Sequence, residues 1–187
     1  MKRRPPPDLG YATDNPPPQP RLRRVAAYRN FWLVAAATLA LDQLTKLAVV
    51  LALPYPALPG SRDALTLIPG FLHLAHVRNT GAAWSLFAGQ TAVLSAIALA
   101  TLAALYIFRH RLNARQPLTQ VIAGLLVGGI LGNLLDRLLR DGHVVDFVDV
   151  HLGSYIYPTF NVADSAICAA AALYILQSFL TSKRPAP

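Results

Sequence analysis

The chain has 187 residues, 54% hydrophobic and 14% charged, with a formal net charge of +8. An ordinary soluble domain carries about 25% charged residues, so a soluble globular domain is excluded and membrane-spanning segments are expected. A single cysteine excludes an intramolecular disulfide and a cysteine-built zinc site. The complete absence of glutamate excludes an H-E-x-x-H metalloprotease, so any carboxylate chemistry must use one of the nine aspartates.

Residues 1–30 hold seven of the 15 prolines and seven of the 17 basic residues, a composition expected of a disordered tail that helps fix topology or binds anionic lipid. Four apolar runs of membrane-spanning length follow, Phe31–Leu53, Thr91–Phe108, Leu118–Leu138 and Phe160–Leu180. The first is too long for a cleaved signal core and reads as a retained signal anchor. Arg109, Arg111 and Arg115 lie between the second and third runs, and Lys183 and Arg184 follow the fourth. The other two loops hold only Arg62, Arg78 and Arg140, with Arg137 at an edge. This alternation predicts cytoplasmic termini and assigns the positive charge to topology rather than to nucleic acid. The expected layout is a tail over 1–30, a membrane domain over 31–183 and a short C-terminal tail over 184–187, without internal repeats.

The first outer loop, residues 54–90, opens with Pro54, Pro56, Pro59 and Gly60, which break the first span. Leu65–Ile68 and Phe71–Val77, separated by Pro69-Gly70, predict a small β element resting on the membrane surface. The second outer loop, residues 139–159, has Gly153 and Pro158 as breakers.

Polar residues inside apolar spans need a partner or a task. Asp42 and Lys46, at i and i+4, share a helix face and suit an internal ion pair or a contact with substrate or lipid phosphate. Lys46 could also snorkel to the head groups. Asn133, Asp136 and Arg137 line one face too; Asp136 with Arg137 suits a network that locks helices, and Asn133 reaches a site. Asn79, Gly81, Ala82 and Ala83 suit a turn packed against a helix or a close backbone approach.

Asp146 and Asp164 flank the entrance to the fourth span. Asp149 competes with Asp146: the two share a side on a helix and face opposite sides on a strand, and Asp149 also suits a solvated loop acid. Asp164 lies about one turn inside the span, with Asn161 one turn earlier. An unpaired carboxylate costs about 2.5–3.5 kcal/mol at mid-membrane, less near the surface, which favours a hydrolytic site or a proton path. His73, His76, His143 and His151 form no metal set and suit interface packing. Ser85 and Ser165 lack a G-x-S-x-G context, and Cys168 among alanines suits a buried, inert thiol.

Five ordered stretches resemble the lipoprotein signal peptidase (signal peptidase II) family: Asp42-Gln43-Leu44-Thr45-Lys46, Asn79-Thr80-Gly81-Ala82-Ala83-Trp84-Ser85, Gly132-Asn133-Leu134-Leu135-Asp136-Arg137, Val144-Val145-Asp146-Phe147 and Phe160-Asn161-Val162-Ala163-Asp164. The resemblance runs from about Phe31 to Lys183. It implies an all-α membrane fold of four transmembrane helices, with a small β platform and a short outer loop at the periplasmic face. The implied activity is an aspartic endopeptidase of the bacterial inner membrane that cleaves diacylglyceryl-modified prolipoproteins before the lipidated cysteine. It needs no metal or organic cofactor and would bind globomycin-type inhibitors. Asp146 and Asp164 map to the catalytic pair, supported by Asp42, Lys46, Asn79, Gly81, Asn133, Asp136, Arg137, Asn161 and Ala163. Trp84 stands where the family usually has phenylalanine. The expected mechanism has the two aspartates share one proton. The expected partners are the prolipoprotein, membrane lipid and the inhibitor, and the expected state is a monomer. A proton-coupled transporter using Asp42, Asp136 and Asp164, and a non-catalytic lipid-binding protein, are the competing readings.

Overall fold

A computed structural model describes residues 27–57, 63–111 and 115–182. Residues 1–26 of the expected tail over 1–30, together with Arg62, Lys183 and Arg184, lie outside the described residues. The elements run α1 (Arg29–Ala52), β1 (Leu65–Ile68), β2 (Leu72–Asn79), a 3-10 turn (Ala83–Ser85), α2 (Thr91–Phe108), α3 (Pro117–Leu139), β3 (Val144–Leu152), β4 (Tyr155–Ile156) and α4 (Val162–Ser182). The four helices are long and apolar enough to cross a membrane. Each agrees with an expected span to within two residues at either end. In lipid, a helix satisfies its own backbone hydrogen bonds, so an apolar run free of internal proline has little alternative. Pro117 opens α3 at its first turn, where no N–H is needed.

Packing between these helices cannot rely on the hydrophobic effect, since lipid is as apolar as leucine; close contact of small residues replaces it. The central helix is α3, which packs against α1, α4 and α2. Gly124, Gly128 and Gly132 form its stripe toward α1, and Gly129 faces α4. A Cβ on Gly128 would stand 2.7 Å from Thr38 Cβ and 2.8 Å from the Ala35 carbonyl oxygen. One on Gly129 would stand 2.6 Å from the Ala163 carbonyl oxygen. By contrast, α2 buries none of its residues.

The four strands form one antiparallel sheet in the order β1-β2-β3-β4. Gly70, at φ +72°, makes the turn between β1 and β2. Around Asp146 and Asp149, where the sequence allows helix or strand, the second outer loop over 139–159 is strand. That segment supplies β3 and β4, and β3 pairs with β2 along most of its length. Residues 144–147 are buried on both faces, so no polar alternation marks the strand. Val145 and Phe147 pack with Val49 near the end of α1, with Val50, Leu53 and Val162 around them. The sheet is therefore seated on the helix ends, as a platform over one end of the bundle.

Candidate active site

The strand pairing decides the ambiguity between the two acids of β3. On a strand, Asp146 and Asp149 point to opposite faces. Asp146 stands opposite Val77, so Asn79, two residues further along β2, is its diagonal neighbour on the same face. Asn79 Nδ2 donates to Asp146 Oδ2 at 2.9 Å. The other end of the Asn79 amide accepts the Gly81 N–H at 2.8 Å, which folds the chain into a tight turn beside the carboxylate. Asp149 is fully buried rather than solvated, and its Oδ2 meets His151 Nε2 at 2.8 Å.

Asp164 owes its position to helix capping. Asn161 precedes α4, and its Oδ1 accepts the Asp164 N–H at 2.9 Å while Asp164 Oδ2 accepts the Asn161 N–H at 3.2 Å. This is a reciprocal capping box, with Asn and Asp in place of the usual Ser/Thr and Glu. The Asn161 side chain also donates to Asp146 Oδ1 at 2.7 Å. One asparagine thus holds both carboxylates. Asn133 Nδ2 supplies Asp164 Oδ1 with a second donor at 2.7 Å.

Beneath this pair lies a dry ionic cluster. Lys46 is fully buried, with its ammonium 2.8 Å from Asp42, 2.9 Å from Asp136 and 3.0 Å from Asn133 Oδ1. Three donors meet three acceptors. Lys46 therefore does not snorkel to the head groups; its charge is consumed internally. Asp42 Oδ1 takes the Ala163 N–H at 2.9 Å, which ties α1 to the first turn of α4. Asp136 Oδ2 takes the Val145 N–H at 3.1 Å, which ties α3 to β3. The expected Asp136–Arg137 pairing is absent among the described contacts. Asp136 pairs with Lys46 and with Arg140 at 3.2 Å. Arg137, one position on, points elsewhere and donates to the Gly81 carbonyl at 2.9 Å.

Asn79, Gly81, Asn133, Arg137, Asp146 and Asp164 all border one cavity of about 540 Å³. Its apolar wall includes Trp84, Tyr157, Phe160, Ile167 and Cys168. Cys168 is exposed on that wall, not buried among alanines as its sequence context suggests. Burial, and secondarily the charge of Asp164, push the Asp146 carboxyl up to about 7, against the hydrogen bonds from Asn79 and Asn161 and the charge of Lys46. At neutral pH such a group holds a proton about half the time. Ser165 spends its hydroxyl on the Asn161 carbonyl at 3.0 Å. Among the described residues no group of His, Cys or Asp is arranged to hold a metal ion.

The sequence profile of the family described as Signal peptidase (SPase) II matches residues 34–180. The chain belongs to the signal peptidase II family. The lipoprotein signal peptidase of Geobacter metallireducens is 37% identical over 161 residues, covering 84% of this chain and 94% of its own length. That of Serratia proteamaculans is 44% identical over 119 residues, covering 62% of this chain and 69% of its own length. A solved bacterial membrane enzyme, determined at 2.3 Å by the in meso method, aligns with a TM-score of 0.72 at 32% identity, over 84% of this chain and 93% of that one. The chain is accordingly a multi-pass bacterial membrane peptidase.

Two polar residues of this signal peptidase II escaped the sequence reading. Gln43 Nε2 lies 3.1 Å from Asp42, 3.1 Å from Asp136 and 3.2 Å from the Gly132 carbonyl, so it braces the ionic cluster. Arg140 is the second cation on Asp136. The signal for Gln43 was available: an uncharged amide inside an apolar span needs a partner as surely as a charge does.

Proposed function

We propose that Asp146 and Asp164 are the catalytic dyad with which this signal peptidase removes signal peptides from prolipoproteins. The observation that carries the reading is Asn161, which hydrogen-bonds both carboxylates at the polar end of a largely apolar cavity. Two carboxylates so linked, Asp146 buried and Asp164 half-buried, favour the state with one shared proton. The ionised partner takes a proton from water as the water oxygen attacks the scissile carbonyl carbon. The protonated partner passes its proton to the carbonyl oxygen, giving a tetrahedral diol. Collapse returns one hydroxyl proton to the second carboxylate and breaks the C–N bond. The proton first taken from water goes to the departing amine. The Arg137 guanidinium, within electrostatic reach of both carboxylates, offsets the single negative charge of the pair.

The remaining parts of the site hold these two groups in place. Lys46 positions Asn133, Asp42 positions the first turn of α4, and Asn79 with Gly81 closes the rim. The substrate is a prolipoprotein carrying diacylglycerol on its cysteine, cleaved just before that residue. The apolar wall of Ile167, Phe160 and Tyr157 suits its hydrophobic neighbours. The arginine distribution supports an inner-membrane orientation with cytoplasmic termini and the sheet end facing the periplasm. Residues 31–183 act as one domain, as a monomer, and globomycin-type inhibitors compete for the cavity.

The test is cleavage of a purified diacylglyceryl prolipoprotein, followed by gel shift. Asp146→Asn and Asp164→Asn should each lower the rate by about 10²–10⁴-fold, the span of acid–base contributions, while remaining monodisperse and folded. Full activity in either variant overturns the dyad.

A further inference from the structure

On the face of the β2–β3 pair turned away from Asp146, basic side chains converge at the end of the helices. Arg78 stands in register with Val145. His143, two residues before Val145, is diagonal to Arg78 on that side. The Arg140 carbonyl accepts the His143 backbone N–H at 3.0 Å, which sets the backbone of the third basic residue beside His143. The local field is positive: after burial, the charges of Arg78 and Arg140 are what push the His143 imidazole below its ordinary value, and they outweigh Asp141 and Asp136.

Arg78 is not neutralised by an ion pair among the described residues, and Arg140, though paired with Asp136, keeps its terminal guanidinium nitrogens outside that pair. Arg140 commits only its Nε, to Asp136, a carboxylate that already serves Lys46. Arg78 has no carboxylate partner among the described residues, and its guanidinium lies 4.1 Å above the Tyr55 ring. The depth is defined as well. Tyr55 comes three residues after α1 ends at Ala52, and Arg140 caps α3. Those are the levels at which a bilayer presents its head groups, where tyrosine is enriched.

We propose that Arg78, Arg140 and His143 form a binding site for the headgroup phosphate of an anionic phospholipid, separate from the peptidase cavity. Guanidinium forks match phosphate oxygens in charge and geometry. A lipid is preferred to a free anion because the group sits at the bilayer boundary, where Tyr55 and the end of α1 give acyl chains an apolar surface. A net negative headgroup is preferred to a zwitterionic one, whose own ammonium opposes the arginines. Bound there, the lipid bridges β2 to the ends of α1 and α3 and steadies the sheet that carries Asp146.

The experiment uses the full chain in neutral detergent. Thermal unfolding and native-mass-spectrometry lipid retention are followed with added phosphatidylglycerol, phosphatidylcholine or inorganic phosphate. Phosphatidylglycerol should raise Tm and stay bound, with the other two much weaker. Arg78→Gln should bind phosphatidylglycerol about fivefold more weakly, the effect of one basic residue at a charged surface. Arg78→Lys should keep most of the effect, and so should Arg29→Gln, at the opposite end of α1. The proposal is overturned if Arg78→Gln keeps the full lipid shift, if Arg29→Gln loses as much, or if phosphatidylcholine or inorganic phosphate alone reproduces it.

Discussion

Replacing Lys46 by methionine tests the internal logic of the site. The ammonium is fully buried and bridges Asp42, Asp136 and Asn133 at 2.8, 2.9 and 3.0 Å. Methionine fills a similar volume but leaves two buried carboxylates with only Arg140 as counter-charge. Breaking a buried ion pair from one side costs about 3–5 kcal/mol. At about 2–4 °C per kcal/mol for a chain of this size, Tm should fall by roughly 10 °C. Adding Asp42→Asn removes the excess negative charge and keeps an oxygen for the Ala163 N–H, so the double variant should recover part of that loss. Unfolding in detergent, read by the fluorescence of Trp32 and Trp84, supplies the double-mutant cycle. Cleavage should fall in Lys46→Met too, because Asn133 loses the donor that orients it toward Asp164. An unchanged Tm in Lys46→Met, or strictly additive losses in the double variant, would refute the cluster as the bracing of the dyad.

The pH dependence follows from Asp146. Its carboxyl titrates near 7 in the fold against an ordinary value of 3.8, so folding favours the protonated form. The resulting stability is fully present below about 3.8 and is lost as pH rises through about 7, an effect of at most about 4 kcal/mol. Asp146→Asn should therefore be inactive yet melt higher than the parent at pH 8, with the difference vanishing near pH 4; a lower melting point at pH 8 contradicts this. Cleavage by the parent should decline above about pH 7, as the shared proton leaves, in a rate profile with Tm monitored alongside. Gly128→Val should separate α1 from α3, given the 2.7 and 2.8 Å approaches there, and cost about 1–3 kcal/mol or more. Wild-type thermal stability in that variant would show that the glycine contact is not close.

Sequence reading located the spans and the polar residues of the candidate site because both signals are local. A run of apolar residues must be a helix in lipid whatever surrounds it. An aspartate, lysine or asparagine inside such a run declares by its cost that it has a partner. That reasoning found Asp42, Lys46, Asn133, Asp136 and Asp164 without any fold. The partners themselves are not local. Asp136 and Arg137 are adjacent in sequence, yet they serve different clusters because adjacent helix positions lie about 100° apart around the axis.

The strand β3 escaped the reading for a related reason. Its partner β2 lies some 70 residues away, and burial on both faces erases the alternation that would announce it. Sequence by itself determined four spans, an all-aspartate chemistry and a family pattern, and the family pattern favoured Asp146 over Asp149. Only the tertiary structure turned those two acids to opposite faces of β3, buried Lys46 instead of letting it reach the head groups, and joined Asp146 and Asp164 through Asn161. The physical reason is that hydropathy is a property of each segment, whereas a shared proton depends on atoms that only the folded chain brings together.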